Sequence, residues 1–196
     1  MKIIQHKLYD KANTQGYVRV RLNGQLYWEG PNLVTDGGLA YSAKLLAGYA
    51  VQKTPTQYET ADSILIGNGG ADTAGSFPAG LQNTPTVPVP PTRPDTSLVS
   101  QILNTPGTPP GAAGAIEAAN TAIFSASFQA DDYVNGDFPG FGAIGVKALF
   151  INEFGLYVSA PISGTPILVA RVCVPSIAFA PTSGYTIAVE WTVGYL

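Results

Sequence analysis

The chain has few of the side chains that carry most enzyme chemistry. Its 196 residues include one histidine and one cysteine, and Asp, Glu, Lys and Arg make up 12% of it, about half the share usual in soluble domains. Catalysis by a Ser–His–Asp or Cys–His set requires a histidine on a rigid element, and the single His6 lies near a terminus. A structural zinc site requires several Cys or His ligands. We therefore expect no enzyme activity, no catalytic or metal-binding residues and no cofactor.

Other absences limit the partners and the compartment. The net charge is −3 and no cluster of Lys and Arg occurs, which argues against nucleic-acid binding. No apolar run is long enough to cross a bilayer, and the start, Met1 to His6, lacks an apolar signal core. We expect no membrane association, and synthesis in a cytoplasm. The lone Cys173 cannot form an intramolecular disulfide, so the fold must be stable without one.

The residues that are abundant favour an all-β fold. Hydrophobic residues make up 45% of the chain, with 22 Gly and 16 Pro, which is typical of short strands joined by many turns. We predict one domain over residues 1–196, all-β and β-sandwich-like or jelly-roll-like, with one short helix and a long extended arm. The predicted later strands are Ser63 to Ile66, Ala122 to Phe128, and residues 145–158, 166–174 and 185–194.

The first third of the chain carries the clearest local signals. Apolar and polar residues alternate from Tyr17 to Leu22, and Asn23–Gly24 favours a tight type I′ turn into a second strand. Pro31 and Asn32 are expected to end that second strand. Asp36 is expected to cap a helix over residues 37–47, with Gly48 as its stop.

Residues 51–63 and 71–120 are rich in Pro, Gly, Thr and Ala and are predicted to form an extended insertion. So long a structureless loop is uncommon in a compact domain. It is therefore disordered, or a linker between two small domains, or it rests on a neighbouring subunit, which is the interpretation we favour for residues 84–111. The prolines assigned to this subunit-interface arm are Pro85, Pro88, Pro90, Pro91, Pro94, Pro106, Pro109 and Pro110.

Two groups of charged residues stand out. Glu153 lies inside an apolar strand, where burial is costly without a partner, and Arg171 in the next strand is the predicted partner of a buried structural pair. A glycosidase role for Glu153 would need a second acid in a similar strand. The acidic turn Asp131 to Asp137 could supply oxygen ligands to calcium. It lacks the EF-hand spacing, however, and solvent-exposed turns commonly have the same acidic composition.

Several motifs, taken in order, resemble a group of tailed-bacteriophage virion proteins. The order is also similar to the N-terminal attachment region of phage tail-collar fibres, and the likeness covers most of residues 17–194 when the Pro-rich arm is treated as an insertion. The motifs are Trp28 to Leu39, Lys44 to Gly48, Ile64 to Gly69, Thr96 to Leu98, Ile151 to Tyr157, Leu168 to Arg171 and Ile187 to Val193.

The resemblance implies a non-enzymatic structural protein, made in the bacterial host cytoplasm and located in the virion. Its partners would be other virion subunits, either the major capsid protein or tail proteins, and we expect a homo-oligomer. No shaft or receptor-binding tip follows the attachment-like region, which favours a capsid-exterior decoration (cement) protein. A tail component (baseplate, collar or fibre-anchoring subunit) is the alternative, and a glycan-binding module with an aromatic surface is a third possibility.

Overall fold

The chain is all-β with one short helix, as the sequence predicts. The structure, a computed structural model, describes residues 14–46, 52–54, 57–58, 61–67, 89–98, 111–112, 114–118, 121–129, 149–158, 165–179 and 186–195. The strands are β1 (Thr14–Leu22), β2 (Gln25–Val34), β3 (Gln52–Thr54), β4 (Gln57–Tyr58), β5 (Ser63–Gly67), β6 (Gly111–Ala112), β7 (Gly114–Ala118), β8 (Thr121–Gln129), β9 (Leu149–Val158), β10 (Ile167–Phe179) and β11 (Thr186–Tyr195). The helix α1 spans Asp36–Leu46.

Nine of these strands form a single antiparallel sheet that is nearly closed. The strand order is β6-β5-β9-β10-β2-β1-β11-β8-β7, and β3 and β4 form a separate two-stranded ribbon. The two edge strands are close in sequence, since β6 ends at Ala112 and β7 begins at Gly114. The sheet must therefore curl until its edges are neighbours, which gives it a barrel-like shape and leaves little open edge.

The predicted hairpin is confirmed. Strands β1 and β2 pair across Asn23 and Gly24, whose φ angles are 49° and 81°, as a type I′ turn requires. Val18 and Val20 are fully buried. The prediction that Pro31 ends the second strand is wrong, because β2 continues to Val34. On the side of β2 that faces β10, only Leu33 and Val34 are paired. Pro31 is tolerated because no β10 residue lies opposite it to accept the N–H that proline lacks.

The helix forms close to its predicted bounds but has a different cap. The hydroxyl of Thr35 accepts a hydrogen bond from the Gly38 N–H at 3.1 Å, so Thr35 rather than Asp36 is the N-cap. The same hydroxyl donates to the Leu168 carbonyl of β10 at 2.5 Å, which ties the start of α1 to the sheet. A side chain at Gly38 would meet the Val169 carbonyl oxygen at 2.1 Å, so glycine permits the close approach.

The Pro- and Gly-rich stretches contain more strand than the sequence indicates. β6 and β7 lie within residues 71–120, and β3 and β4 lie within residues 51–63, where we predicted an extended insertion. The small residues of Gly111 to Ala118 give no alternating hydrophobic pattern. Their pairing with β5 and β8 is instead a backbone effect of closing the sheet.

The main core fills the inside of the curled sheet. It draws on strands from both ends of the strand order, which only a closed shape allows. Phe128 of β8 and Phe154 of β9 meet there, with ring centroids 6.5 Å apart. Residues between the inward-facing ones point to the outer surface, and on β9 these include Glu153, Gly155 and Tyr157.

Candidate functional site

The outer face of β9 and β10 is covered by residues 89–98, which we call the strap. Charged and polar side chains on that face would normally lie in water, yet Glu153 is 0% exposed, Arg171 1% and Tyr157 3%. The strap lies over them as an extended, proline-containing segment. These buried groups and their strap partners form the one buried ionic cluster that the described residues contain.

Arg171 is the centre of this cluster. Its Nη2 lies 2.7 Å from Glu153 Oε2, and its Nε donates to the same oxygen at 2.9 Å. Its Nη1 lies 2.9 Å from Asp95 Oδ2, and Nη2 also donates to the Val89 carbonyl at 3.0 Å. The guanidinium thus joins one strand of the sheet to two points of the strap.

The sheet register creates the space that Arg171 occupies. The residue directly opposite Arg171 on β9 is Gly155, while Glu153 lies diagonally, opposite Cys173. A side chain at Gly155 would meet Tyr157 Cε2 at 2.7 Å and Leu98 Cδ2 at 2.9 Å. Glycine is needed here because the strap's leucine packs over the position where a side chain would lie.

Asp95 is held in place by a local turn within the strap. The Thr92 N–H donates to Asp95 Oδ2 at 2.8 Å, the Thr92 hydroxyl bonds the other carboxylate oxygen, and the Asp95 N–H donates back to the Thr92 carbonyl. Partial burial alone would raise the pKa of Asp95, but hydrogen bonds from Thr92 and Arg171 outweigh it and lower that pKa below its ordinary value. The carboxylate is therefore ionised when it meets Arg171.

Arg171 keeps its charge despite burial. Burial by itself lowers the pKa of Arg171, but the charge of Glu153 and the hydrogen bonds of both carboxylates raise it above the ordinary value. One cation faces two carboxylates, so the cluster carries a net charge of −1. A buried ion pair adds little net stability, but removal of one partner is strongly destabilising, because the other charge is left buried without compensation.

Further contacts hold one end and the middle of the strap. The Leu98 N–H donates to the Tyr157 hydroxyl at 2.9 Å, and Leu98 packs with Tyr157 and Leu168 in a small apolar cluster outside the barrel. Burial raises the pKa of Tyr157 to about 12, against the opposing Leu98 hydrogen bond, so the hydroxyl stays neutral. Nearer the middle of the strap, the Asp36 N–H of α1 donates to the Arg93 carbonyl at 2.8 Å.

Cys173 also lies under the strap. Its Sγ donates to the Val89 carbonyl at 3.1 Å, and burial raises the pKa of the thiol to about 11. A thiol is a nucleophile only as the thiolate. The raised pKa keeps Cys173 mainly in the less reactive thiol form at neutral pH.

The structure brings Glu153 and Arg171 together in the buried contact that the sequence predicted. Of the prolines assigned to the subunit-interface arm, Pro90, Pro91 and Pro94 lie in the strap, which rests on its own chain where we expected a neighbouring subunit. The reason is the cation beneath it: Arg171 has its second carboxylate in the strap itself. Outside the described residues are Pro85, Pro88, Pro106, Pro109, Pro110 and the acidic turn over residues 131–137.

Sequence reasoning missed the strap's contribution to the cluster. Asp95, Val89 and Leu98 contact the outer face of the sheet, and their hydrogen bonds join positions that are 59 to 82 apart along the chain. One local signal existed: Thr92 and Asp95 are spaced for a side-chain-capped turn. That signal indicates order in the Pro-rich region without indicating what the turn contacts.

The arrangement clamps the strap to the sheet, because Arg171 bonds Glu153 of β9 as well as Asp95 and Val89 of the strap. In the described part of the chain no group of three or more His, Cys, Asp or Glu is placed to hold a metal ion. The helix of the described residues is not long and apolar enough to cross a membrane. The fold and site define a strapped, barrel-like β domain.

Comparison of the chain with protein-family models, with curated proteins and with solved structures finds no match in any of the three.

Proposed function

We propose that the protein is a non-enzymatic structural protein of a tailed-phage virion, and that it decorates the capsid exterior and bridges capsid subunits as a cement protein. The observation that carries the proposal is the buried cluster beneath the strap. Its ionised side chains are bonded to one another and to the strap backbone. They stabilise a rigid, nearly closed sheet instead of facing a cleft where a substrate could enter.

The exposed surface supports the same role. Among the described residues, the exposed large hydrophobic side chains are Tyr17, Leu26, Tyr27 and Val89, at 39%, 50%, 39% and 37%. Val89 lies in the strap, and the other three lie on the β1–β2 hairpin. Tyrosine and arginine on a rigid scaffold are enriched where proteins bind proteins.

The ordered motifs favour a virion protein but fit two locations. A capsid cement protein and a tail component, such as a baseplate, collar or fibre-anchoring subunit, both use a rigid β domain to join other subunits. The similarity of the motif order to a tail-collar attachment region favours the tail as the second candidate. The stoichiometry of the particle separates the two.

The test is a copy count in purified particles of the phage that encodes the chain. Quantitative mass spectrometry with isotope-labelled peptides of this chain and of the major capsid protein gives the ratio. A ratio near one supports the cement role, whereas tens of copies or fewer support the tail role. Absence from purified particles would overturn both.

A further inference from the structure

The outer face on the side of the sheet away from the strap carries two parallel rows of side chains. Across β2, β1, β11 and β8 the paired residues of the first row, here called the acidic row, are Glu29, Arg19, Glu190 and Ser125. Those of the second, here called the basic row, are Leu26, Arg21, Ala188 and Ser127. The rows are adjacent because Arg19 and Arg21 are two residues apart on one strand, or about 7 Å.

The two rows have opposite net charge. In the acidic row, Arg19 Nε lies 3.1 Å from Glu29 Oε2 and Arg19 Nη1 lies 3.2 Å from Glu190 Oε1. Two carboxylates flank one cation, so this row carries −1. In the basic row, the contact that the described residues give Arg21 is a hydrogen bond of 3.3 Å to the Gly24 carbonyl. No carboxylate of the described residues pairs with this guanidinium, and the row carries +1.

This pattern is self-complementary under two-fold symmetry. A two-fold axis that runs across the strands, midway between the rows, places the basic row of one copy on the acidic row of the other, and the reverse contact follows by symmetry. Arg21 then faces Arg19 of the second copy and lies between the two carboxylates that flank it, Glu29 and Glu190. The serines of β8 face each other, and Ala188 leaves room opposite Glu190.

We propose that this face binds a second copy of the same chain. This face contains a shallow recess of about 340 Å³, which gives space for side chains of the second copy. It is lined by Arg19, Arg21, Ser125, Ser127, Ala188 and Glu190, among others. Beside it, Tyr17 and Leu26 offer exposed apolar surface for burial on association. The strap already covers the outer face of β9 and β10, whereas the side chains of Arg19, Glu190 and Glu29 are 47%, 44% and 40% exposed and are accessible to a partner.

The inference deepens the proposed structural role by naming the partner of this surface. Self-association is a property of the purified protein, however, and it is measured without the virion. A protein that dimerises through this face but is missing from particles would therefore overturn the virion role alone. A monomer that is present in particles would overturn the pairing alone.

The sharpest experiment is a complementary charge swap followed by sedimentation velocity. Arg21→Glu places like charges at both symmetric contacts of the dimer, and so does Glu190→Lys. Each variant alone should dimerise about 100-fold more weakly than wild type, because like charges juxtaposed at an interface repel strongly. An equimolar mixture of the two variants should form a heterodimer that is tighter than the homodimer of either variant. In it, Arg21 of one copy again lies between Glu29 and Glu190, and the carboxylate introduced at position 21 of the other copy faces the amine introduced at position 190 as well as Glu29.

Two controls make the result specific. Lys44→Glu changes the net charge as Arg21→Glu does, but Lys44 is an exposed residue on α1, which packs against β10. This variant should dimerise like wild type. Arg21→Glu should leave thermal unfolding near that of wild type, because Arg21 is exposed. Glu190→Lys should lower the melting temperature by a few degrees at most, because it replaces one half-exposed ion pair with Arg19. The pairing is overturned if the wild type sediments as a monomer at every soluble concentration, if Arg21→Glu and Lys44→Glu behave alike, or if the mixture yields no heterodimer.

Discussion

Replacing Arg171 with methionine measures what holds the strap to the sheet. Arg171 and Glu153 have side-chain exposures of 1% and 0%, and Asp95 one of 20%. Methionine keeps much of the buried volume but removes the cation 2.7 Å from Glu153. Breaking one partner of a buried pair costs about 3–5 kcal/mol, a large part of the roughly 5–15 kcal/mol that stabilises a domain. The melting temperature of a domain this size should fall by about 6–20 °C.

Urea unfolding gives the free energy directly. The indole of Trp191 is fully buried, so tryptophan fluorescence reports the transition. A double variant, Arg171→Met with Glu153→Leu, removes both charges of the central pair. It should recover most of the lost stability, because well-packed apolar residues in place of a buried ion pair are often neutral or better. Asp95 is partly exposed and can remain ionised in water.

Two outcomes would contradict the prediction for Arg171. The first is that Arg171→Met unfolds within about 1 kcal/mol of wild type, and the second is that the double variant is no more stable than the single one.

Three further predictions concern the same cluster. Glu153→Ala should cost about 3 kcal/mol, the low end for a broken buried pair, because Arg171 keeps its other partners; an unchanged melting temperature would contradict this. Asp95→Ala should loosen the strap and speed the reaction of the Cys173 thiol with an aromatic disulfide reagent at least several-fold. Asp36→Ala removes an exposed ion pair to the strap and should leave that rate near the wild-type rate. Equal rates in both variants would show that Asp95 does not hold the strap. The pKa of Asp95 is lowered in the folded state, so the contribution of the ionised Asp95 to stability should be complete above about pH 4 and lost as the pH falls further. If the stability difference between wild type and Asp95→Ala is unchanged at about pH 2, the pKa of Asp95 is not lowered.

Much of the local structure was readable from the sequence. The alternation from Tyr17 to Leu22 sets which side chains face the core, and Asn23–Gly24 sets the turn, because both accept the positive φ angles found there. The sequence also singled out Glu153 and Arg171, since charged residues in apolar strands need a partner. These features depend on neighbours along the chain, and such neighbours are visible in the sequence.

Other features depend on residues that are distant in sequence. The continuation of β2 through Pro31 depends on where β10 stops covering it. The cap at Thr35 depends on a carbonyl of β10 that only the folded sheet supplies. The place of Asp95 beside Arg171 depends on closure of a loop that separates them by 76 positions, and no local pattern records such a contact.

By itself, the sequence determined that the chain forms strands with one short helix, which side chains those strands bury, and that one buried carboxylate and one buried guanidinium need partners. Tertiary structure alone decided that the sheet curls until its edges nearly meet, that a Pro-rich stretch folds back on its own chain, and that the two rows of opposite charge lie side by side. The physical reason is that the face of a strand follows from its own period of two residues, whereas register, closure and coverage are set by the burial and charge pairing that all the strands achieve together.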